Sequence, residues 1–196
     1  MSDRLPAASL DQIFLKARTY KSFAPDPIPA ALLREMYETA RTGPTAANAN
    51  PGRFLFLVSA EAKAQLSPFM SETNRPQALA APVNIIMAYD IAFYETLPKL
   101  FPHNPDARNW YSAPDVAQEN AFRSGTLQAA YLMLVARSLG LDCGPMGGFD
   151  AKGVNEAFFS GTSWRANFIC NLGYGTPDKL RERGPRLDFE EACKLL

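Results

Sequence analysis

Apolar residues recur at helical spacing in two places near the start of the chain. Leu10, Ile13, Phe14 and Ala17 share one face of a first helix, which Ser9 or Asp11 caps and which continues toward Pro25. Leu32, Leu33, Met36, Tyr37 and Ala40 share one face of a second helix running from about Pro29 to Arg41. Pro29 fits its first position, and Gly43-Pro44 stops it. Phe54–Val58 is continuously apolar and reads as a buried strand, and Val83–Tyr89 reads as the second. Between them, Glu61–Met70 reads as a helix and Asn74–Ala80 as a short one. Further on, Lys152–Phe158 reads as a short helix and Asn167–Leu172 as a third strand, with a turn at Gly173-Tyr174-Gly175. Phe189–Leu196 closes the chain as a helix or arm.

The stretch Asn120–Asp150 organises the rest. From Leu127 to Ala136 every residue but Gln128 is apolar or small. A helix apolar on nearly all sides is buried on nearly all sides, in the middle of a domain or between two subunits. It is too short, and too closely flanked by charge, to cross a bilayer. The following Gly144-Pro145-Met146-Gly147-Gly148-Phe149-Asp150 reads as a loop that lets a ligand approach the backbone closely. Around 91–117 the pattern dissolves into aromatics and prolines, which predicts a lid or insertion of short helices outside the core. With few strands and many helices, the class is α+β: one domain over 1–196, with helices on both faces of one sheet.

Composition narrows the functional classes. Lys+Arg and Asp+Glu both number 20, so nothing suggests a nucleic-acid or anionic-membrane partner. The three cysteines, Cys143, Cys170 and Cys193, lie far apart, which matches neither a zinc site nor a disulfide framework. They read as reduced thiols of a cytoplasmic protein, and Met1–Ala8 has no apolar signal core. The lone histidine, His103, sits in a Pro-rich stretch and is a weak basis for nucleophilic catalysis. No dinucleotide fingerprint is present: Gly144–Gly148 follows a helix, and Gly173-Tyr174-Gly175 lacks a third glycine.

Four scattered pieces of polar chemistry remain. Arg18, Thr19 and Lys21 place cations and a hydroxyl together near the N-terminus. Thr45–Gly52 is a loop of small residues and amides. The glycine segment follows the central helix, and basic residues return at Arg181, Arg183 and Arg186. Together they suit a ligand with a phosphate at one end and a flat, hydrogen-bonding ring at the other. Flavin mononucleotide (FMN) has that form, although composition alone does not select it.

The residues resemble the flavin-dependent nitroreductase family over nearly the whole chain. The motifs are Arg18-Thr19-Tyr20-Lys21-Ser22-Phe23, Gly43-Pro44-Thr45-Ala46-Ala47-Asn48-Ala49-Asn50-Pro51, the segment from Leu139 to Phe149, and Pro185-Arg186-Leu187 with Phe189-Glu190-Glu191. Each is weak alone, whereas their order and spacing together are specific. Phe93-Tyr94-Glu95, Leu100-Phe101-Pro102-His103, Gly144-Pro145-Met146 and Phe189–Cys193 further resemble the malonic semialdehyde reductases of pyrimidine degradation, the RutE-type group.

The resemblance implies a nitroreductase-like fold with a mostly antiparallel central sheet, assembled as a homodimer with flavin sites between subunits. It implies that Arg18, Thr19, Lys21 and Arg186 hold the FMN phosphate and ribityl oxygens. Pro44, Thr45, Ala46 and Asn48 would line the isoalloxazine, and Asn74 and Gln77 would bond its pyrimidine edge. Pro145, Met146, Gly147 and Gly148 would pass along the ring, with the Gly147 N–H near N5. The implied mechanism is ping-pong: NADH or NADPH gives hydride to the flavin, and a small acceptor then takes it. No protein residue is named as catalytic, and no metal is expected. Arg108 and Arg123 are candidates to meet a substrate carboxylate. The chain departs from the family pattern at Ala17, Asn50, Gly52 and Gln77, where arginine, glutamine, tryptophan and lysine are usual. Three readings stay open: a semialdehyde or enal reductase, a nitroaromatic or quinone reductase, and a non-catalytic flavin-binding protein.

Overall fold

The computed structural model describes residues 3–196. Met1 and Ser2, part of the N-terminal stretch considered above for a signal core, lie outside them. Four strands form one sheet: β1 (Gly52–Leu57), β2 (Val83–Asp90), β3 (Asp142–Met146) and β4 (Trp164–Gly173). Their order is β1-β2-β4-β3, and every neighbouring pair is antiparallel. Every position of β2 is buried because alternate side chains serve opposite cores. Ile85 and Met87 pack with Leu33 and Met36 of α2 (Ala30–Ala40) and Leu132 of α6 (Pro114–Ser138). Ile86 and Ala88 pack with Leu66 of α3 (Ala60–Leu66), Ala78 of α4 (Arg75–Ala80) and Val154 of α7 (Ala151–Phe158). Helices therefore cover both faces, as the mostly apolar strands require. Each fully buried Ile or Leu contributes about 1.5–3 kcal/mol of transfer free energy.

The fourth strand is the main departure from the sequence reading. Asp142–Met146 is β3 at the sheet edge, where a loop was expected. Gly144 and Pro145 hide it from pattern reading, yet an edge tolerates a residue without N–H. The first helix is also shorter than expected. α1 (Ala7–Leu10) widens into π-type turns over Asp11–Leu15 and stops at Lys16. Beyond it, Thr19 bridges Cys143 and Phe23 bridges Gly175, so this segment runs extended beside β3. The Tyr20 N–H donates to the Cys143 carbonyl at 3.1 Å. Thr19, Tyr20 and Phe23 are strand-prone, and the exposed β3 edge offers them hydrogen bonds that a lone helix end lacks.

Three further expectations change. Helix α6 buries one face, through Ala117, Ala121, Gly125, Ala129, Leu132 and Ala136. The rest of its surface leaves Phe122 exposed on one side and Leu127 and Tyr131 on another in the single chain, so it is not buried all round. The aromatic segment, expected outside the core, forms three helical pieces: Phe93–Thr96, α5 (Leu97–Leu100) and Pro105–Tyr111. It buries Phe93, Leu97 and Tyr111 against Tyr89, Ala117 and Ala121 in a small core of its own. Bulky aromatics reach such burial whatever their periodicity, and Phe93 and Tyr111 pack edge to face at 4.8 Å. Finally, the closing helix is only α8 (Phe189–Ala192), held by a capping box between Asp188 and Glu191.

Candidate functional site

Arg18, Thr19 and Lys21 lie on the extended segment that bridges β3. They line a cavity of about 350 Å³ together with Arg186 and the tail residues before it. The tail is tied down by arginines. Arg18 donates to the Arg181 carbonyl, and Arg183 Nη2 donates to the carbonyls of Leu15 at 2.7 Å and Ala17 at 2.9 Å. Sequence reading missed Arg137 and Lys179, which line the same cavity, and had Arg183 only as one of the basic residues of the tail. Arg137 is masked by the apolar run before it. Glu182 is the one carboxylate among the lining residues, so the cavity is strongly cationic. Such a set suits phosphate, which arginine meets with paired N–H donors.

A smaller cavity of about 200 Å³ continues from this one, sharing Thr19 and Lys21 and adding Asn74, Gln77 and Gly144–Gly147. Asn74 caps the start of α4, and Gln77 lies one turn later. Gln77 Nε2 donates to Asn74 Oδ1 at 2.7 Å, and Asn74 Nδ2 donates to the Gly148 carbonyl at 3.1 Å. The two amides therefore hold each other in fixed orientations against the end of β3. Gly148 has no room for a side chain: a Cβ there would sit 2.7 Å from Asn74 Nδ2. At Gly147, a Cβ would meet nothing within 4 Å, and its N–H donates to no protein acceptor among the described residues. Met146 places its side chain in the second core. Beneath the site, Asn84 and Asn171 are buried and joined at 2.8 Å. Their amides hold the carbonyls of Ala78 and Gln77 in α4.

Nearby ionisable groups show what burial does here. Burial raises the Asp142 carboxyl above its ordinary value, while the Gly175 N–H and Arg137 pull it back. Cys170 is pushed well above the usual thiol value, first by its hydrogen bond with Cys143 and then by burial. Both thiols are buried, and the Cys170 thiol, pushed up in this way, lacks the thiolate character of a reactive cysteine. His103 lies against the Phe101 ring, with centroids 3.9 Å apart.

The amide loop is elsewhere. Pro44, Thr45, Ala46 and Asn48 lead into β1, at the sheet edge opposite β3. Three strand spacings separate the edges, on the order of 14 Å. Within one chain, these residues are not brought to the cavity that holds Asn74 and Gly147. Asn48 lines a third cavity of about 540 Å³ together with Asn50, whereas Pro44, Thr45 and Ala46 do not line it. The loop is strained, with left-handed φ at Ala47, Asn48 and Asn50 of 51°, 51° and 45°. Strain of this kind persists where neighbours over-determine it and is common at functional sites. Gln128, the one polar break in the apolar run of α6, supplies that support. Its Oε1 accepts from the Gly52 N–H at 2.7 Å, and its Nε2 donates to Asn50 Oδ1 at 3.0 Å. Arg108 and Arg123 line none of these three cavities. Arg123 pairs with Glu119 on the exposed side of α6.

No described helix is long and apolar enough to cross a membrane. Residues 15–174 match the family model described as Nitroreductase family. A Stenotrophomonas maltophilia K279a protein with the provisional name NADH dehydrogenase/NAD(P)H nitroreductase is 53% identical over 196 residues, covering 100% of both chains. Among solved structures, a Bacillus subtilis protein provisionally called a nitroreductase superposes with a TM-score of 0.89 at 19% identity, covering 97% of this chain and 100% of the other. One from Exiguobacterium sibiricum, provisionally called a nitroreductase and solved in complex with FMN, gives 0.87 at 20% identity over 100% of both chains. With the family model spanning most of its length and a relative matching it end to end, the chain belongs to the nitroreductase family.

Proposed function

We propose that this chain is a homodimeric, FMN-dependent NAD(P)H oxidoreductase, and that its acceptor is malonic semialdehyde, reduced to 3-hydroxypropionate. The observation that carries the flavin reading is the convergence along β3. A cationic cavity around Arg18, Lys21 and Arg186 opens into an amide-lined one around Asn74, Gln77 and Gly147. The residues fit FMN on independent grounds. Gly147 leaves its backbone uncovered and its N–H free, while Gly148 allows Asn74 to close on the backbone. Bound FMN supplies two-electron chemistry, passing hydride from NAD(P)H to the acceptor.

The chain's own residues bind and orient. Arg18, Lys21 and Arg186 neutralise the phosphate, and Thr19 adds a hydroxyl. Asn74 and Gln77 have already spent one hydrogen bond on each other, so their remaining groups face a ring edge without reorganising. Pro145 and Met146 carry the backbone past the ring. No side chain is assigned a proton transfer.

Pro44, Thr45, Ala46 and Asn48 belong to this site only if a second subunit brings them. The exposed apolar residues of α6, Leu127 and Tyr131 on one side and Phe122 on another, with Phe14 and Leu15, support such a partner. The acceptor assignment rests on the resemblance of the aromatic segment and tail to the semialdehyde reductases. On this reading Arg108 stays a candidate carboxylate partner, while Arg123, engaged by Glu119, is the weaker one.

The test is an acceptor screen on FMN-loaded protein, comparing malonic semialdehyde, nitrofurans and quinones by kcat/KM, with light scattering for the dimer. A preference for nitro compounds or quinones removes the acceptor assignment. Protein that takes up no FMN removes the whole reading, and a flavin band that neither NADH nor NADPH bleaches leaves only a binding protein.

A further inference from the structure

The cavity beside the amide loop has no part in holding the flavin phosphate, yet it is built for negative charge. It lies between the end of α2, the loop carrying Asn48 and Asn50, and the helix α5. Arg41, Arg53 and Lys99 line it, and no carboxylate does. The three cations differ in what they have left to offer. Arg53 is fully engaged: it pairs with Asp90 at 2.7 Å and donates to the carbonyls of Asn50 and Gly52. Arg41 pairs with Glu38 at 2.8 Å on an exposed face. Lys99 has no carboxylate partner among the described residues.

The walls around Lys99 are fixed. Asn48 Nδ2 donates to the Leu100 carbonyl at 2.8 Å, joining the amide loop to the residue after Lys99. Asn50 Nδ2 donates to Asn48 Oδ1 at 2.9 Å, and Gln128 anchors Asn50 in turn. An ammonium presented from a braced wall into a cavity of about 540 Å³, without a protein counter-ion, attracts an oxyanion.

We propose that this cavity is the subsite for the anionic group of a reaction partner, with Lys99 as its principal cation and Arg41 as its second. The inference rests on the flavin reading above, which puts Asn48 of the same loop at the ring. Two partners carry the required chemistry: the nicotinamide dinucleotide through its diphosphate, and a carboxylated aldehyde through its carboxylate. Either would be held by Lys99 while its reactive end reaches past Asn48. Lys99 thereby joins Arg108 as a cation that meets the partner's charge, and where malonate is the probe affected it takes precedence over Arg108.

The experiment titrates FMN-loaded protein with two unreactive probes, malonate and ADP, by calorimetry at low ionic strength. Wild type is compared with Lys99→Gln, Lys99→Glu and Lys152→Gln, the last an exposed lysine on α7 that controls for net charge. Lys99→Gln is expected to weaken the bound probe about tenfold, and Lys99→Glu more, with the difference shrinking as salt rises. An effect on malonate alone assigns the subsite to the acceptor. An effect on ADP alone assigns it to the reductant, and an effect on both means that they share it. If wild type binds neither probe, or if Lys99→Glu binds both as wild type does, the subsite is refuted. An equal loss in Lys152→Gln refutes it as well. Flavin absorbance recorded on each sample keeps this outcome apart from a failure of the flavin reading, which would show as colourless wild type.

Discussion

Gln128 is the residue on which the amide loop depends most, and Gln128→Met measures how much. Methionine keeps the length and apolar fit of the side chain but removes both hydrogen bonds. The Gly52 N–H, which Gln128 Oε1 accepts at 2.7 Å, then loses its partner in a site where Gln128 is only 5% exposed. An unsatisfied buried donor costs about 1–3 kcal/mol. Asn50 Oδ1 loses its 3.0 Å donor as well, but Asn50 is half-buried and water replaces part of that bond, so this loss is about 0.5–1 kcal/mol. The total is about 1.5–4 kcal/mol. For a chain of 196 residues, that lowers Tm by roughly 3–16 °C. Urea unfolding at fixed protomer concentration gives the same quantity from the midpoint, provided the slope is unchanged. A change below about 0.5 kcal/mol would mean that the Gly52 N–H finds water or another acceptor, and the claim that Gln128 braces the loop would fail.

Three other outcomes follow from the same geometry. Ala47→Gly relieves a left-handed φ of 51° and should raise stability by up to about 1 kcal/mol, read as a higher urea midpoint. Asp142→Asn keeps an acceptor for the Gly175 N–H at 2.9 Å while removing a carboxylate whose pKa burial raises. A raised carboxyl pKa means that the native state binds the proton more tightly than the unfolded chain, so the wild-type carboxylate costs stability that builds as pH rises above the unfolded value and is complete above the folded one. The variant should therefore be the more stable protein at neutral pH, with an advantage that vanishes below the ordinary Asp range; an advantage independent of pH would exclude the charge as its cause. Gly144→Ala drives a Cβ into the Tyr20 carbonyl oxygen and presses the Arg18–Lys21 segment off β3. It should cost about 1–3 kcal/mol and weaken FMN binding, as measured by flavin fluorescence.

The helices and central strands could be read from the sequence because their signals are local. Leu33, Met36 and Ala40 repeat with the helical period, and Val83–Tyr89 is apolar except at Asn84, whose buried amide bonds Asn171, because both of its faces are covered. β3 and the segment around Thr19 could not be read, because each is a strand through the other's pairing: Gly144 and Pro145 carry no strand signal, and Thr19–Phe23 follows directly on a helix pattern. The cationic and amide residues of the cleft were identifiable one by one, but their meeting depends on that pairing. The amide loop shows the same limit at a larger scale. Its residue types indicated a ligand, whereas its place at the opposite sheet edge follows from strand order. Leu127 and Tyr131 join the two observations. The run from Leu127 to Ala136 is apolar on nearly every side, yet one chain covers only one face of α6. A sequence written for burial on both sides, on a helix exposed on one, calls for a surface that the chain itself does not supply. Under the proposed function the amide loop needs the same thing: a cleft from another copy, to which it can bring Thr45 and Asn48. A single two-fold contact satisfies both, because whatever one copy presents to its partner it also receives.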